Sequence, residues 1–223
     1  MDNKNPKSCS KLLDQNKPDG PPYAALCPTC KLFGCTSSAS RIKFTDADIA
    51  PGYHSVYRDM IGIDRFTGGV FHGESGGANM RFHVLENTAF ITTVTVTNFE
   101  LWQLGLLAYI FHDFREGLVP LGFGKTKGFG SVKGVVDKIA LSYPTGRCKG
   151  GVQHMGSLLS DDEKKLYGLS VATAADCDGL QRDNSSGLNL YETFSVTKHD
   201  AFWAAVAPAF NEFIEVKSKE IQP

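Results

Sequence analysis

The sequence has no long hydrophobic run, no apolar segment at its start and almost no net charge. Its longest apolar stretch, Leu104 to Phe111, is far shorter than the ~20 residues that a membrane-spanning helix needs. The first residues, MDNKNPKSCS, lack the apolar core of a signal peptide. The net charge of −1 gives no overall attraction to nucleic acid. With 223 residues, of which 42% are hydrophobic, we expect one globular protein of the cytoplasm.

Cysteine is scarce outside the first sixth of the chain. Four of the six cysteines lie there, and only Cys148 and Cys177 lie elsewhere. A disulfide framework is typical of small secreted domains, whereas this chain has no export signal and is long enough to form a core. The clustering therefore favours a metal site.

The cysteine-rich segment has the spacing C-x2-C-x4-C, formed by Cys27, Cys30 and Cys35. Such a turn can direct several thiolates at one ion, and soft thiolates favour zinc. A structural zinc site has four protein ligands. The alternatives are a redox CxxC pair and a catalytic zinc with three ligands and a water molecule. Cys9 is the natural fourth ligand, and the histidines that could replace it are His54 and His154.

A basic, glycine-rich segment lies between two acidic regions. Residues 120–149 hold six lysines and arginines against one acid. Within them, Gly122-Phe-Gly124-Lys-Thr-Lys-Gly128-Phe-Gly130 offers backbone amides and two ammonium groups, which could hold phosphates. A nucleotide-binding P-loop is excluded because Val119 stands where that motif needs glycine, and because the loop connects a helix to a strand rather than a strand to a helix.

Apolar periodicity and turn signals predict the secondary structure. The predicted strands cover residues 39–44, a hairpin of 81–84 with 90–97, then 131–143 and 169–175. The predicted helices run from an N-cap at Asn98 to about Glu116, from a Ser160–Glu163 capping box to near Gly168, and from Asp200 with a bend at Pro208. Residues 58–80 are predicted to form a long loop or a flexible hairpin, and residues 176–190 a loop.

Three segments, in one order along the chain, carry a resemblance to a known family. They are CPTCKLFGCTSSASRIKFTDA at 27–47, RDMIGIDRFTGGV at 58–70 and LGFGKTKGFGSVKG at 121–134. Together they resemble the RAMP superfamily of CRISPR systems, specifically the backbone RNA-binding subunits of type III effector complexes. The last segment is similar to the signature loop of the superfamily. The resemblance covers about residues 27–143.

The resemblance implies an α+β fold, namely a ferredoxin-like (RRM-type) RAMP domain with a zinc-binding insertion. That single domain would span 27–223, after a polar arm at 1–26, and its parts would be a zinc knuckle at 27–35, a flexible thumb-like segment at 58–80 and a glycine-rich loop at 121–130. The family pattern begins with a strand and a helix, and residues 1–26 are too polar and proline-broken to supply both. Either another chain supplies the missing strand, or this chain is one piece of a split or multi-domain subunit.

The resemblance also implies partners and contact residues. The partners would be CRISPR RNA, target RNA and other RAMP subunits, and the cofactor would be a structural Zn²⁺. The metal ligands would be Cys9, Cys27, Cys30 and Cys35. The predicted RNA-contact residues are Gly122, Gly124, Lys125, Lys127, Gly128, Gly130, Arg41, Arg58, Arg65, Phe66 and Phe71. The two phenylalanines would wedge between bases, since stacking on aromatic rings tolerates any base.

A catalytic role is not indicated by the residues. In the family, target RNA is cut by an acidic residue in the loop after the first strand, and that loop is missing here. Asp14, Asp19 and Asp64 do not match its position. We therefore expect a non-catalytic subunit. The alternatives are an endoribonuclease subunit that uses Mg²⁺ or Mn²⁺ and, from another class, a zinc-containing protein-interaction module.

Overall fold

The computed structural model describes residues 8–15, 22–71, 80–148, 150–170, 175–183 and 190–221. The chain divides into two compact units, one formed by residues 1–42 and 96–223 and the other by residues 43–95. Helices and small antiparallel sheets occur together, which confirms the α+β class. The predicted ferredoxin-like arrangement and the predicted division after residue 26 stay predictions, and neither unit begins at residue 27.

The described residues form six helices and nine strands. The helices are α1 (Cys9–Gln15), α2 (Pro28–Phe33), α3 (Leu101–Arg115), α4 (Met155–Leu158), α5 (Asp161–Tyr167) and α6 (His199–Ile221), with 3-10 turns at Pro22–Ala25 and Lys125–Lys127. The strands are β1 (Ile42–Phe44), β2 (Asp48–Ile49), β3 (His54–Met60), β4 (Met80–Glu86), β5 (Phe90–Ile91), β6 (Val94–Val96), β7 (Ala140–Pro144), β8 (Leu180–Arg182) and β9 (Tyr191–Val196). Strand β1 pairs with β6, β2 with β5 and β3 with β4, while β7, β9 and β8 form a three-stranded antiparallel sheet in that order.

Helices α3 and α6 pack on each other to form the core of the larger unit. The rings of Trp102 and Phe213 stack with centroids 4.2 Å apart. Gly105 lets the two backbones approach closely, because a Cβ there would lie 2.8 Å from the carbonyl oxygen of Val206. The other buried apolar side chains of the pair are Leu101, Leu104, Leu107 and Ala108 on α3 and Phe202, Val206 and Ala209 on α6. Helix α6 continues past Pro208 without interruption.

The ends of α3 follow from its capping residues. The helix begins after Glu100, whose side chain accepts the backbone N–H of Gln103 while the Gln103 side chain accepts that of Glu100. The predicted N-cap, Asn98, was wrong by two residues, since Asn98 adopts a φ of 50° and the capping box lies at Glu100. The helix ends as predicted, at Gly117, whose φ of 73° suits a helix terminus.

The strands of the smaller unit pair differently from the prediction. Strand β4 pairs with β3, so that His54 lies opposite Glu86 and Met60 opposite Met80. The predicted hairpin of 81–84 with 90–97 was therefore wrong, and β5 pairs with β2 instead. The sequence alternation identified the strands but not their partners, because alternation reports only which residues share a face.

The N-terminal residues contribute to the core. Leu13, Tyr23 and Leu26 are buried and form a cluster. The side chains of Cys9, Cys30, Cys35, Tyr167 and Leu169 pack against that cluster. This burial was not anticipated from a stretch whose few apolar residues are separated by polar residues and proline.

The segment after the glycine-rich loop is extended but mostly unpaired. A strand was predicted over 131–143, and the described strand β7 covers only its last residues. Among the described residues, the one backbone hydrogen bond of Ser131–Lys138 is donated by Gly134 N–H to the Phe114 carbonyl. Side chains from Ser131 to Val136 nevertheless alternate between exposed and half-buried, as in a strand.

The C-terminal elements are closer to the prediction. The capping box of Ser160 and Glu163 is present and opens α5, which ends at Gly168 as predicted. The predicted loop over 176–190 contains the short strand β8, and residues 184–189 lie outside the described part. Most of the strand predicted at 169–175 also lies there. No helix among the described residues has the length and apolarity to cross a membrane.

We expect Gly105→Ala to destabilise the protein. The substitution gains about 1 kcal/mol of helix propensity. It also forces apart two backbones in contact, and overpacking of this kind costs typically 1–3 kcal/mol. The net loss should be about 1 kcal/mol and is measured by urea unfolding. Gly69→Ala is the matched control, because a Cβ there meets only Thr67 Oγ1 at 3.6 Å. A Gly105→Ala protein as stable as the parent would contradict the close packing of α3 on α6.

Candidate functional site

Three cysteines from two helices meet at one point. Cys9 begins α1, Cys27 caps α2 and Cys30 lies in the first turn of α2. Their sulfur atoms all lie within 4.8 Å of one another. Sulfur ligands around a tetrahedral zinc lie roughly 4 Å apart, since each Zn–S bond is ~2.3 Å. The three thiols can therefore bind a metal ion such as zinc.

The start of α2 favours a thiolate at this place. Burial alone would raise the pKa of Cys27, but hydrogen bonds from the Cys30 backbone and from the thiols of Cys9 and Cys30 outweigh it and lower the pKa. Burial and the thiols of Cys27 and Cys9 raise the pKa of Cys30 to about 12. Cys27 is therefore the thiol of this pair that loses its proton more readily, and its charge would oppose ionisation of Cys30. A bound cation would remove this opposition, as metal binding to thiols requires their deprotonation.

The predicted ligand Cys35 lies outside this three-sulfur group. It follows α2 in a tight turn, where its backbone N–H donates to the Ser38 carbonyl at 2.8 Å. It is half-buried and packs against the same apolar cluster as Cys9 and Cys30. Of the two histidine alternatives, His154 caps α4, where its Nδ1 accepts the Gly156 N–H. His54 lies on β3, in the smaller unit. The identity of the fourth ligand stays a prediction.

A buried polar network anchors the metal-binding helix to α3. The Lys31 carbonyl, in α2, accepts the side-chain amide of Gln103 at 3.2 Å. The Lys31 ammonium donates to the Gly168 carbonyl at 2.9 Å. The Tyr23 hydroxyl donates to the Glu100 carboxylate at 2.6 Å. Burial and the carboxylate of Glu100 raise the pKa of Tyr23, so the hydroxyl keeps its proton.

Arg41, a predicted RNA-contact residue, belongs to the same network. Its guanidinium carbon lies 3.9 Å from the centroid of the Tyr23 ring. One guanidinium nitrogen contacts the Met155 sulfur at 2.9 Å, and the residue is half-buried. The sequence did not predict this network. Acidic residues are common near the start of a helix, and no sequence signal distinguishes a buried glutamate such as Glu100 from an exposed one.

The glycine-rich loop is closed at its base and open at its tip. The Leu121 N–H donates to the Gly130 carbonyl at 2.9 Å, and a Cβ on Gly130 would overlap the Leu121 carbonyl. At the tip, Gly124 and Gly128 flank the turn of Lys125–Lys127 in left-handed conformations. Only glycine adopts such conformations without cost.

The tip of this loop is exposed. Both lysines of the turn are exposed, and open space surrounds Gly122 and Gly128. A charged ligand can therefore reach the ammonium groups, and also the backbone of these two glycines. The loop thus presents two positive charges to solvent.

The remaining predicted RNA-contact residues lie in the smaller unit. Arg58, on β3, forms a salt bridge with Glu86. Arg65 and Phe66 form the tip of a turn, where Phe66 is fully exposed, and Phe71 is 45% exposed. The turn is held by Asp64, whose carboxylate accepts the Phe66 N–H at 2.7 Å.

One acidic candidate, Asp64, has a described side chain, and it accepts the Phe66 N–H. Asp64 has the local role of a turn-forming residue, as Asp often does. The other two candidates, Asp14 and Asp19, lie outside the described side chains.

Comparison with known proteins identifies the family. A family model for the RAMP superfamily matches residues 2–133, which is more than half of the chain. The chain therefore belongs to the RAMP superfamily, and membership indicates a CRISPR-associated, RNA-binding role. The match contains both the cysteine group and the glycine-rich loop, and it begins earlier than the predicted resemblance at residue 27. No curated protein matches the chain.

We expect the purified protein to contain zinc and to lose stability without it. Cys27→Ser and Cys30→Ser should each abolish zinc binding and lower the free energy of unfolding by about 3 kcal/mol, or roughly 10 °C in Tm. Atomic absorption and thermal unfolding measure the two effects. Cys35→Ser tests the fourth ligand, and a wild-type zinc content would exclude Cys35. Cys177→Ser is the control and should keep the metal, because that cysteine lies outside the group.

Proposed function

We propose that this chain is a guide-RNA-binding backbone subunit of a type III CRISPR interference complex, where it contributes to recognition of target RNA. Membership in the RAMP superfamily supports the RNA-binding role. The observation that carries the proposal is the exposed lysine turn between Gly124 and Gly128, on a loop closed at its base. Such a loop offers two ammonium groups to phosphates, and phosphate contacts position a nucleic acid without reading its sequence.

In this proposal the metal has a structural role. Zinc bound by Cys9, Cys27 and Cys30, with Cys35 as fourth ligand, would connect α1 to α2. Helix α2 is in turn anchored to α3 through Lys31 and the Gln103 side chain. The metal would supply stability and no chemistry, since a fully ligated zinc has no open coordination position.

The proposal also includes a protein partner. The extended segment Ser131–Lys138 has one backbone hydrogen bond among the described residues, and β7 lies at an edge of its sheet. An unpaired, alternating segment is a template for a strand of another chain. The chemistry that fits it is a polypeptide backbone, because nucleic acid has no matching row of N–H and C=O groups. We infer that another RAMP subunit of the same complex adds a strand here.

We expect Lys125→Ala combined with Lys127→Ala to weaken binding of single-stranded RNA. The affinity for RNA falls as salt rises, so the slope of log K against log salt is negative. Removing two phosphate contacts should make this slope shallower by roughly 1.4, because each contact on single strands contributes about 0.7. Fluorescence anisotropy across a salt series measures it. The matched control is Lys164→Ala with Lys165→Ala on α5, which leaves the loop intact. An equal loss in both pairs would contradict the assignment of the loop, and an unmodified protein without RNA affinity would contradict the proposed function.

We expect proline in the unpaired segment to block assembly without unfolding the chain. Val135 is 82% exposed, and neither its N–H nor that of Val136 has a backbone partner among the described residues. Neighbouring N–H groups of a strand point to opposite sides, so one of the two N–H groups would face the added strand. Proline has no N–H, and therefore either Val135→Pro or Val136→Pro should remove a hydrogen bond to that strand. Co-purification with the complex from the native host, with thermal unfolding of the isolated chain, measures both effects. Val135→Thr is the control, and retained assembly in both proline variants would exclude strand addition.

A further inference from the structure

The two-stranded ribbon of β3 and β4 has one exposed face that the predicted contact residues do not include. In its register, Tyr57 lies opposite His83 and Asp59 opposite Arg81. Side chains alternate between faces, so these four share one face, and all four are exposed. The other face carries Val56, Met60, Phe82 and Val84, which are half-buried. The face of Tyr57 and His83 is therefore the more exposed of the two.

Three planar groups lie close together on this face. The rings of Tyr57 and His83 stack with centroids 4.8 Å apart and planes 20° from parallel. The guanidinium carbon of Arg81 lies 5.7 Å from the Tyr57 ring centroid. Asp59 accepts two hydrogen bonds from this guanidinium, at 2.7 and 3.2 Å. These contacts hold the three groups close together while Tyr57 stays 65% exposed.

Cross-strand pairing explains part of this arrangement but not its exposure. A cross-strand aromatic pair contributes to the stability of a ribbon, and an apolar pair on the buried face would do the same. A large ring kept in solvent offers its surface to a ligand. The negative charge of Asp59 balances that of Arg81, which favours stacking of the guanidinium over attraction to phosphate.

The chemistry of the face selects its ligand. Nucleobases are planar and stack on aromatic rings, imidazoles and guanidinium groups whatever their sequence. A polypeptide strand would need free backbone groups, which lie at the edges of a ribbon and not on its face. The chain belongs to an RNA-binding superfamily, so single-stranded RNA is the nucleic acid that the protein meets.

We propose that Tyr57, His83 and Arg81 form a stacking surface for unpaired bases of single-stranded RNA. This inference rests on the proposed function and adds to it a base-contact surface separate from the predicted contacts of Phe66 and Phe71. The glycine-rich loop would hold the phosphates, and the ribbon would hold bases without selecting among them.

The test uses the full chain and a single-stranded RNA that contains 2-aminopurine, a base whose fluorescence falls when it stacks. Tyr57→Ile should raise the Kd about tenfold and reduce the fluorescence change, because it removes one stacking ring. Isoleucine is β-branched and keeps strand propensity, so the ribbon should remain folded. His83→Val should have a smaller effect in the same direction, and Tyr57→Phe should keep both affinity and quenching. Tyr53→Ile is the control, since Tyr53 is 61% exposed in the same unit but lies outside the ribbon.

The salt series separates this inference from the proposed function. Tyr57→Ile should leave the slope of log K against log salt unchanged, because stacking releases no counterions. Unchanged affinity and quenching in both Tyr57→Ile and His83→Val, with RNA binding still dependent on Lys125 and Lys127, would overturn the stacking surface and leave the proposed function standing. If the unmodified protein binds no RNA, both fail together. Ultraviolet cross-linking of the RNA, followed by peptide mapping, should place Tyr57 in the cross-linked peptide whether or not the variants fold.

Discussion

The larger unit depends on the hydrogen bonds that the buried carboxylate of Glu100 accepts. One of its oxygens accepts the Tyr23 hydroxyl, and the other accepts the Ser170 N–H at 2.7 Å. Its backbone and side chain also form the capping box of α3 with Gln103, whose amide reaches the Lys31 carbonyl of α2. Four segments distant in sequence thus meet at one acid that is 1% exposed. A buried carboxylate is stable only when its oxygens are bonded, so these segments must assemble together.

The hydrogen-bond network around Glu100 connects the candidate metal site to the rest of the protein. Helix α2 carries two of the three grouped thiols, and its contacts with Gln103 and Gly168 fix its position against α3 and α5. Helix α3 also leads, through its C-terminal glycine, into the glycine-rich loop. The candidate metal centre and the candidate phosphate loop are therefore attached to opposite ends of one buried helix. A metal that orders the N-terminal segment would stabilise the support of the loop without touching it.

Local signals were predictable from the sequence, and pairings were not. The end of α3, the capping box at Ser160 and the cysteine spacing all depend on residues within one or two turns of each other, where the chemistry of a few side chains decides the outcome. The strand partners of β4 and β5 depend on long-range packing that alternation does not encode. The same reason explains why Leu13 and Tyr23 were interpreted as part of an arm. Each is apolar among polar neighbours, and only contact with distant residues makes it part of a core.

By itself the sequence determined the α+β class, the superfamily and the chemistry of the cysteine group, because each rests on residue types at short, fixed spacing. Only the tertiary structure brought Cys9 to Cys27 and Cys30, placed the half-buried Arg41 over the Tyr23 ring, stacked Tyr57 on His83 and left the described segment Ser131–Lys138 largely without backbone partners. Each of these depends on which distant segments meet, and that is decided by the burial of apolar surface and by the satisfaction of buried polar groups.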